Sequence, residues 1–329
     1  MTEEKISIAV AGSTQHAYEV TQSLKDDERF QLSWILTPRP KKVGRKQKLL
    51  TNPLHQWALE LNVKYQLIDE KISHLDPELN KPDYLLVVDF GYIIPENLLA
   101  FPSNATINLH PSKLPAWRGS SPGQFVLLSG EKTSAISLIK VTSQLDAGPI
   151  IAQEEFEVEP HWTSAQYYQH SFAIASRLTP DWIDDHFQGK ISESPQPTVS
   201  PTPLAKKINK SDAYIPWEIL ENFLAEKPDS KTHSPDNATS FLSESSIINY
   251  FLEQNSISNF AETIEKACRA FQPWPILWTI IPTIEGKKRV QILSCSVITK
   301  NGKQFLQINQ VKVEGKDTTT WNEVKNIFN

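Results

Sequence analysis

The sequence predicts an α/β fold class, with a Rossmann-like, mostly parallel sheet domain followed by a small C-terminal β-barrel of OB-like type. Three observations predict it. Strand-like apolar runs alternate with helical segments in the first half, which favours a parallel sheet covered by helices. A proline-rich stretch, residues 192–203, divides the chain. The last third combines one helix with several strand-like runs, which suits a small barrel.

The elements of the first half follow from their apolar patterns and from helix-start signals. Residues 5–10 alternate apolar and polar, and residues 84–88 form a short apolar run typical of a buried strand. Asn52 followed by Pro53 is typical of a helix start. The predicted strands are residues 5–10, 31–36, 84–88, 106–109, 135–141 and 150–158, and the predicted helices are residues 16–24, 52–61, 121–128 and one that begins after Thr163.

We therefore predict a catalytic domain at residues 1–190, a linker at 191–205 and a C-terminal barrel at 206–329. In the barrel, Phe260, Ile264, Ala267 and Phe271 recur at helical spacing. Its predicted strands are residues 276–281, 289–298 and 305–313. Residues 225–246 are rich in Ser, Asp, Lys and Pro, which predicts a mobile surface loop.

The charge of the chain is unevenly distributed. The net charge of −5 argues against a general nucleic-acid coat. Residues 39–48 nevertheless hold six basic side chains and no acidic one, and residues 286–329 hold eight basic against three acidic. This pattern indicates that a polyanion is bound locally rather than over the whole surface.

Composition also indicates the cellular compartment of the protein and restricts the cofactors that it is expected to bind. Cys268 and Cys295 are the two cysteines, which excludes a disulfide framework. No apolar stretch is long enough for a spanning helix and no signal-type segment stands at the start, so we expect a cytoplasmic protein without a membrane partner. The eight histidines form no ligand cluster, so no metal is expected.

Residues 107–115 and 144–148 carry the candidate chemistry. Asn108 and His110 stand two apart at the carboxyl end of a predicted strand, so their side chains face the same way. A His suits proton transfer, an Asn amide can donate to an oxyanion, and Asp146 can orient the His or a water, which together suit acyl transfer to an amine. Taken alone, such residues are more often structural, and Asp before Ala-Gly is usually a turn residue.

The flanking residues favour the chemical interpretation. The run NLHPSKLPAWRGSSPGQ, residues 108–124, resembles the signature of the folate-dependent formyltransferases, and Leu145-Asp146-Ala147-Gly148 resembles the Asp turn of that family. Residues 82–102 are similar to the segment before the catalytic strand. Residues 39–58 resemble the basic insertion of the members that act on methionyl-tRNA, and residues 205–217, 271–275 and 313–321 resemble their C-terminal barrel. The resemblance covers almost the whole chain.

The resemblance implies roles for individual residues. Asn108 and Asp146 would hold the formyl oxygen and a proton-transfer water, with His110 beside them. The co-substrate 10-formyltetrahydrofolate would contact Phe90, Gly91, Ser112, Lys113, Leu114, Pro115 and Leu145. Initiator methionyl-tRNA would contact Arg39, Lys41, Lys42, Arg45, Lys46, Lys48, Lys206 and Lys207. The chain departs from the family at Lys113, where a Leu is usual. A monomer is expected.

Three alternative functions are weighed against this one. A related enzyme would formylate the amino sugar of a nucleotide, but that acceptor needs neither basic region. A tRNA-binding protein that has lost catalysis would not need Asn108, His110 and Asp146. A formyl-folate hydrolase would use the same residues with water as the acceptor, and only an activity assay separates it from a transferase.

Overall fold

The computed structural model describes residues 4–43, 47–72, 74–224, 247–254, 260–284 and 286–325. The chain divides into two compact units. Unit 1 comprises residues 1–122, 133–157 and 168–205, and unit 2 comprises residues 123–132, 158–167 and 206–329. The loop predicted at residues 225–246 lies outside the described residues, and the domain limits given above stay a prediction.

The first part of the chain, to residue 187, alternates strands and helices. Its strands are β1 (Ile6–Gly12), β2 (Phe30–Pro38), β3 (Lys41–Val43), β4 (Lys48–Leu50), β5 (Tyr65–Ile68), β6 (Tyr84–Val88), β7 (Ala105–His110), β8 (Thr133–Lys140) and β9 (Ile150–Glu157). Its helices are α1 (Gln15–Asp26), α2 (Pro53–Glu60), α3 (Glu96–Leu99), α4 (Pro122–Ser129) and α5 (Ser164–Phe187).

Unit 1 is built on a seven-stranded sheet with the order β5-β2-β1-β6-β7-β8-β9. The strands from β5 to β7 pair in parallel, whereas β8 and β9 are antiparallel additions. The carboxyl ends of β6 and β7 therefore meet at one edge of the sheet, because Val88 pairs with Leu109. The predicted fold class, a mostly parallel sheet with helices, is confirmed.

The sheet is buried on both faces, which explains its nearly continuous apolar strands. Ile8 and Val10 enter one core cluster, while Ala9 and Ala11 enter the other. All five residues of β6 are buried. Since each large apolar side chain buried contributes about 1.5–3 kcal/mol, these two clusters account for much of the stability of the unit.

The helix-start signal at Asn52 acts as predicted. The side chain of Asn52 accepts a hydrogen bond from the backbone N–H of His55 at 3.0 Å, and Pro53 occupies the first turn of α2. Thr14 caps α1 in the same way, accepting from the N–H of Ala17 at 3.3 Å. Each cap satisfies a donor that the helix leaves unpaired, worth about 1 kcal/mol.

Unit 2 contains short helices and an antiparallel sheet. Its elements include α6 (Trp217–Leu220), α7 (Ile247–Gln254), α8 (Phe260–Ala270), β10 (Trp278–Thr283), β11 (Gly286–Lys300), β12 (Lys303–Val313), β13 (Thr318–Thr320) and α9 (Trp321–Val324). The described strands pair in the order β10-β11-β12-β13, with β10 and β13 at the edges. The predicted apolar face of α8, with Phe260, Ile264 and Ala267, is buried.

The predicted basic loop contains a two-stranded hairpin. Strands β3 and β4 pair antiparallel, with Lys42 opposite Leu49. Gly44, Arg45 and Lys46 lie outside the described residues. Within the described part of the chain, no helix has the length and apolar character needed to cross a membrane.

The proline-rich segment at residues 191–205 is bound to the rest of unit 1. Ser194 forms a backbone bridge with Ile150, with both N–H···O distances at 2.8 Å. The hydroxyl of Thr202 accepts from the N–H of Trp117 at 2.7 Å, and the N–H of Ala205 donates to the carbonyl of Arg118 at 2.8 Å. This segment therefore supports the residues that follow β7.

Candidate active site

Strand β7 brings Asn108 and His110 to the carboxyl edge of the sheet. Ile107 and Leu109 point into the apolar core, so the alternation of the strand directs Asn108 and His110 to the other face. Asn108 is half-buried and His110 is 4% exposed. The carboxyl end of a parallel strand is where such sheets place their ligands, as the sequence predicted.

The hydrogen bonds of His110 define which of its ring nitrogens can take up a proton. Its Nε2 lies 3.0 Å from the carbonyl oxygen of Trp117. A carbonyl only accepts, so Nε2 must carry the hydrogen and donate it. In the neutral imidazole, Nδ1 is then the unprotonated nitrogen, and it faces Oδ2 of Asp146 at 3.6 Å. Both atoms are hydrogen-bond acceptors, and at 3.6 Å they lie beyond direct hydrogen-bonding distance.

Asp146 is held in place by the backbone. Its Oδ2 accepts a hydrogen bond from the N–H of Gly119 at 2.9 Å, and the carboxylate is largely buried, with 15% of the side chain exposed. Asp146 and Trp117 both adopt positive φ angles, 48° and 58°. A left-handed conformation costs a non-glycine residue about 1–2 kcal/mol, so the surrounding contacts must fix these two residues.

Two glycines permit the close approach of the backbone at this site. Gly119 has φ of 125°, and a Cβ there would lie 2.5 Å from the carbonyl oxygen of Ala205. A Cβ on Gly148 would lie 1.8 Å from the carbonyl oxygen of Lys140. Both obstacles are backbone atoms, which cannot rotate away. Both positions, Gly119 and Gly148, therefore require glycine.

Gln196 connects the turn of Asp146 to Arg118. Its side-chain Nε2 donates to the carbonyl oxygens of Asp146 at 3.0 Å and Gly148 at 2.6 Å. Its Oε1 accepts from Nε and Nη2 of Arg118 at 3.1 and 3.0 Å. Nη2 of Arg118 also donates to the carbonyl of Pro197 at 2.8 Å. One amide therefore fixes the backbone of the turn that contains Asp146 and links it to Arg118.

A second group of hydrogen bonds fixes the loop after His110. The hydroxyl of Ser137 donates to the carbonyl of Ser112 at 2.7 Å and accepts from Nε2 of Gln153 at 2.7 Å. Gln153 also reaches the carbonyl of Leu114 at 3.2 Å. The hydroxyl of Ser112 closes the loop on the carbonyl of Ala116 at 2.8 Å. These bonds hold the loop after His110 against strands β8 and β9.

The carboxamide of Asn108 makes no hydrogen bond with the residues that the structure describes. It is therefore available to donate to a bound group, whereas His110 and Asp146 are already oriented by the protein. An amide donor beside an imidazole–carboxylate pair suits the transfer of an acyl group: the amide stabilises negative charge on the acyl oxygen, and the pair moves the proton of the nucleophile.

The residues predicted to bind folate fall into two groups. Phe90, Gly91 and Leu145 lie in loops at the catalytic edge of the sheet, and Leu145 is 57% exposed. A Cβ on Gly91 would meet nothing within 4 Å, so the surface there is open. This open, partly apolar edge lies beside the Asn108 amide, and its character suits a reduced folate.

The second group, Ser112 to Pro115, is more internal. The side chains of Ser112 and Leu114 are buried, and Pro115 is half-buried. Lys113, which departs from the family pattern, points outward and pairs with Glu155 at 2.7 Å. This segment therefore shapes the site mainly through its backbone.

The residues predicted to bind tRNA are mostly exposed. Arg39 pairs with Asp69 at 2.8 Å, and Nζ of Lys41 lies 3.4 Å from the hydroxyl of Tyr92. Lys42 and Lys48 are exposed on the hairpin, and Arg45 and Lys46 lie outside the described residues. In unit 2, Lys206 pairs with Asp212 at 3.5 Å and Lys207 is exposed.

Within the described ranges, no group of three or more potential metal ligands occurs.

Sequence reasoning missed several residues that build the site, and these are Trp117, Gly119, Ser137, Gln153 and Gln196. Their partners are distant in sequence: Gln196 lies 50 residues from Asp146, and Gly119 lies 27 residues from it. The available signal was the Trp-Arg-Gly run after β7. Trp117 and Gly119 contribute through their backbone carbonyl and N–H, and a residue pattern does not reveal such contacts.

Comparison with known proteins agrees with this geometry. Residues 4–182 match the family described as Formyl transferase. The chain is 34% identical over 191 residues to a methionyl-tRNA formyltransferase of Hydrogenobaculum sp. (strain Y04AAS1), covering 57% of this chain and 62% of the relative. The chain thus spans less than two thirds of the length of that relative.

Two solved structures share the fold over nearly the full length. One is WlaRD, a sugar 3N-formyl transferase solved with dTDP and 5-N-formyl-THF, with a TM-score of 0.58 and 16% identity over 95% of this chain and 100% of that one. The other is the methionyl-tRNA formyltransferase from Clostridium thermocellum, with a TM-score of 0.50 and 16% identity over 94% and 99% of the two chains.

The family match covers more than half of the chain and includes the strand and the turn that carry Asn108, His110 and Asp146. The chain belongs to the formyl transferase family.

Proposed function

We propose that this protein transfers the formyl group of 10-formyltetrahydrofolate to the α-amino group of initiator methionyl-tRNA. The observation that carries the chemistry is the arrangement at the end of β7: Nδ1 of His110 faces Oδ2 of Asp146 at 3.6 Å, with the Asn108 amide on the same face of the strand. The folate supplies an activated one-carbon unit, and the protein groups supply orientation and proton transfer.

Each of the three residues has one role in this proposal. The Asn108 amide donates to the formyl oxygen as negative charge develops on it; losing one such donor typically costs about 10²–10³ in rate. Nδ1 of His110, with Nε2 committed to Trp117, accepts the proton of the attacking amine directly or through a water. Asp146 stabilises the resulting imidazolium, which then returns the proton to the departing folate nitrogen.

Two basic surfaces support tRNA as the acceptor. In unit 1, the hairpin and its flanks carry Arg39, Lys41, Lys42 and Lys48. In unit 2, Arg289 and Lys312 line an open cavity of about 230 Å³, with Glu314 as the one acidic residue among its described lining. Phosphate contacts by such residues supply salt-dependent affinity for RNA without reading sequence. The relative with 34% identity also bears the name of a methionyl-tRNA enzyme. This function would place the protein in the cytoplasm, where charged tRNA and folate meet.

A nucleotide-linked amino sugar is the second candidate acceptor. The similarity to WlaRD in fold favours it, but at 16% identity that similarity concerns the fold alone. A sugar nucleotide offers two phosphates at most, which gives the hairpin and the basic strands of unit 2 no partner. The basic residues therefore favour tRNA.

A parallel acceptor assay tests the proposal. The full-length protein is incubated with 10-formyltetrahydrofolate and either methionyl initiator tRNA, a nucleotide-linked amino sugar, or no acceptor. We expect formylation of the tRNA alone. Formylation of the sugar alone would overturn the acceptor but keep the chemistry, formate release without an acceptor would indicate a hydrolase, and inactivity in all three would indicate a protein that has lost catalysis.

A further inference from the structure

Arg118 is a buried cation that has no acidic partner among the described residues. Its side chain is only 5% exposed. Nε and Nη2 donate to neutral oxygens of Gln196 and Pro197, and no carboxylate of the described residues lies within ion-pair distance. Burying an unpaired charge is costly, and neutral acceptors compensate only in part. The guanidinium therefore still attracts an anion.

Nη1 of Arg118 is the part of the guanidinium that can receive one. It makes no hydrogen bond with the described residues, so two of the five N–H donors are unused. The side chain also lines an open cleft of about 530 Å³ within unit 1. Arg118 is the one charged residue among the described residues that line this cleft.

The walls of the cleft are apolar and unusually exposed. Leu145 is 57% exposed, Val199 80% and Leu204 56%. Large apolar side chains that cluster around one concave surface mark a binding site more often than isolated ones do. Two hydroxyls, those of Ser200 and Thr202, complete the lining. The cleft therefore suits a ligand with an apolar or planar body and an oxyanion.

The cleft adjoins the catalytic carboxylate. Leu145 and Ala147, the neighbours of Asp146 on both sides, line it. A group bound there would lie beside Asp146, which favours one of the two substrates as its source. Gln196 joins Arg118 to the backbone of the same turn.

We infer that Arg118 and this cleft form an oxyanion-binding subsite for one of the two substrates. Two sources supply this chemistry: a phosphate next to the terminal base of the acceptor, or the glutamate carboxylate next to the aromatic ring of the folate. The inference rests on the proposed function only for the identity of these two molecules. Arginine suits either oxyanion, because its planar donors match both geometries.

A binding test that requires no catalysis comes first. The melting temperature of the full-length protein is measured with increasing inorganic phosphate, against chloride at equal ionic strength. Wild type and Lys25→Gln, a control at an exposed lysine of α1, should both be stabilised by phosphate, since a ligand of the folded state raises its stability. Arg118→Gln should lose this response. An unchanged response in Arg118→Gln would overturn the inference.

A second pair of variants covers the case in which Arg118→Gln does not fold. Val199 is highly exposed, so Val199→Glu and Val199→Gln should both fold, and they differ only in one charge. The carboxylate of Val199→Glu should compete with the anion and abolish the phosphate response, whereas Val199→Gln should retain it. Equal responses from the two variants would contradict an oxyanion subsite in this cleft.

Steady-state kinetics with the same variants identify the source. In Val199→Glu, a KM raised about tenfold for the acceptor, with kcat nearly unchanged, would assign the subsite to a phosphate of the acceptor. The same rise in the KM for folate would assign it to the glutamate carboxylate. Unchanged values for both substrates would overturn the subsite. If no formyl transfer to tRNA occurs, the proposed function fails, and the phosphate response alone decides the inference.

Discussion

The catalytic edge (residues 108–119 and 144–148) and the basic hairpin (residues 39–50) both belong to unit 1, but they are built in opposite ways. At the catalytic edge, His110, Asp146 and the backbone between them are fixed by distant hydrogen bonds and by close packing at glycine. In the hairpin, Lys42, Leu49 and Leu50 are exposed to solvent. Chemistry requires fixed geometry, whereas phosphate recognition tolerates mobile side chains.

The largest effect is expected at Asp146. Asp146→Ala removes the carboxylate that faces Nδ1 of His110, and we expect kcat to fall by about 10³-fold or more with a small change in KM. Asp146→Asn is the matched variant, because it keeps the shape but cannot carry the negative charge. Single-turnover formyl transfer measures both. If either variant kept more than about a tenth of the wild-type rate, Asp146 would not belong to the proton path.

Gly148 tests whether the catalytic edge depends on close packing. In Gly148→Ala the new Cβ would collide with the carbonyl of Lys140, so we expect a loss of about 1–3 kcal/mol in the free energy of unfolding, together with a large loss of activity. Urea denaturation measures the first effect. Gly91→Ala is the control for stability, since nothing lies within 4 Å of its Cβ position. Equal stability of the two variants would show that the turn is not constrained as described.

Substitution of Gln196 should have a smaller effect, because this side chain acts by positioning the turn that contains Asp146. Gln196→Leu removes the donors to the carbonyls of Asp146 and Gly148, so the catalytic turn loses its support. We expect kcat to fall by about tenfold to a hundredfold, since small displacements of reacting groups have effects of this size. The control is Gln56→Leu on α2, whose side-chain amide donates to Glu60 on the exposed face of that helix. The same kcat in both variants would remove Gln196 from the catalytic arrangement.

Substitutions in the hairpin should weaken the binding of tRNA and leave the rate of formyl transfer nearly unchanged. The double change Lys42→Gln with Lys48→Gln should raise the KM for tRNA and flatten its dependence on salt, by about 0.9 in the logarithmic slope for each phosphate that is no longer neutralised. The kcat should stay nearly constant. Lys25→Gln serves as the control for charge. A KM and a salt slope equal to those of the control would exclude these two lysines from tRNA recognition.

The smallest expected effect is on the stability of the protein in acid, and it arises at His55 on α2, the helix that follows the hairpin. His55 on α2 is 4% exposed, and neither ring nitrogen has a hydrogen-bond partner within the described part of the chain. Burial lowers the pKa of His55. Because the folded-state pKa lies below the unfolded value, the unfolded chain binds the proton first, and stability declines as the pH falls below about 6.5.

Replacing His55 with Leu should remove this decline. Urea denaturation at about pH 8 and about pH 5.5 measures it: wild type should lose more stability between the two than His55→Leu does. An equal loss in both proteins would show that His55 is not the group responsible.

The two regions also differ in how far the sequence predicts them. Local signals were sufficient for Asn52 as a helix cap, and strand alternation placed Asn108 and His110 on one face. Such features depend on neighbours a few residues away. The basic hairpin was recognised from composition alone, although its strands were not predicted.

The supporting contacts of the catalytic edge could not be predicted. Gln196 stands in a proline-rich segment that has the composition of a linker, and its partners lie about 50 residues away. The positive φ of Trp117 contradicts the local preference of a bulky residue. Both depend on the assembled fold, because only the folded chain brings residues 117, 146 and 196 together.

The central claim is that His110 presents Nδ1 to Asp146 as its proton-accepting nitrogen, while Nε2–H is committed to the carbonyl of Trp117. Nuclear magnetic resonance of the full-length protein with ¹⁵N-labelled histidine, at about pH 8 where an ordinary imidazole is neutral, measures this directly. The resonances of His110 are assigned by comparison with His110→Asn. We predict a protonated Nε2 and an unprotonated Nδ1. A neutral His110 protonated on Nδ1 would contradict the proton path and the role given to Asp146.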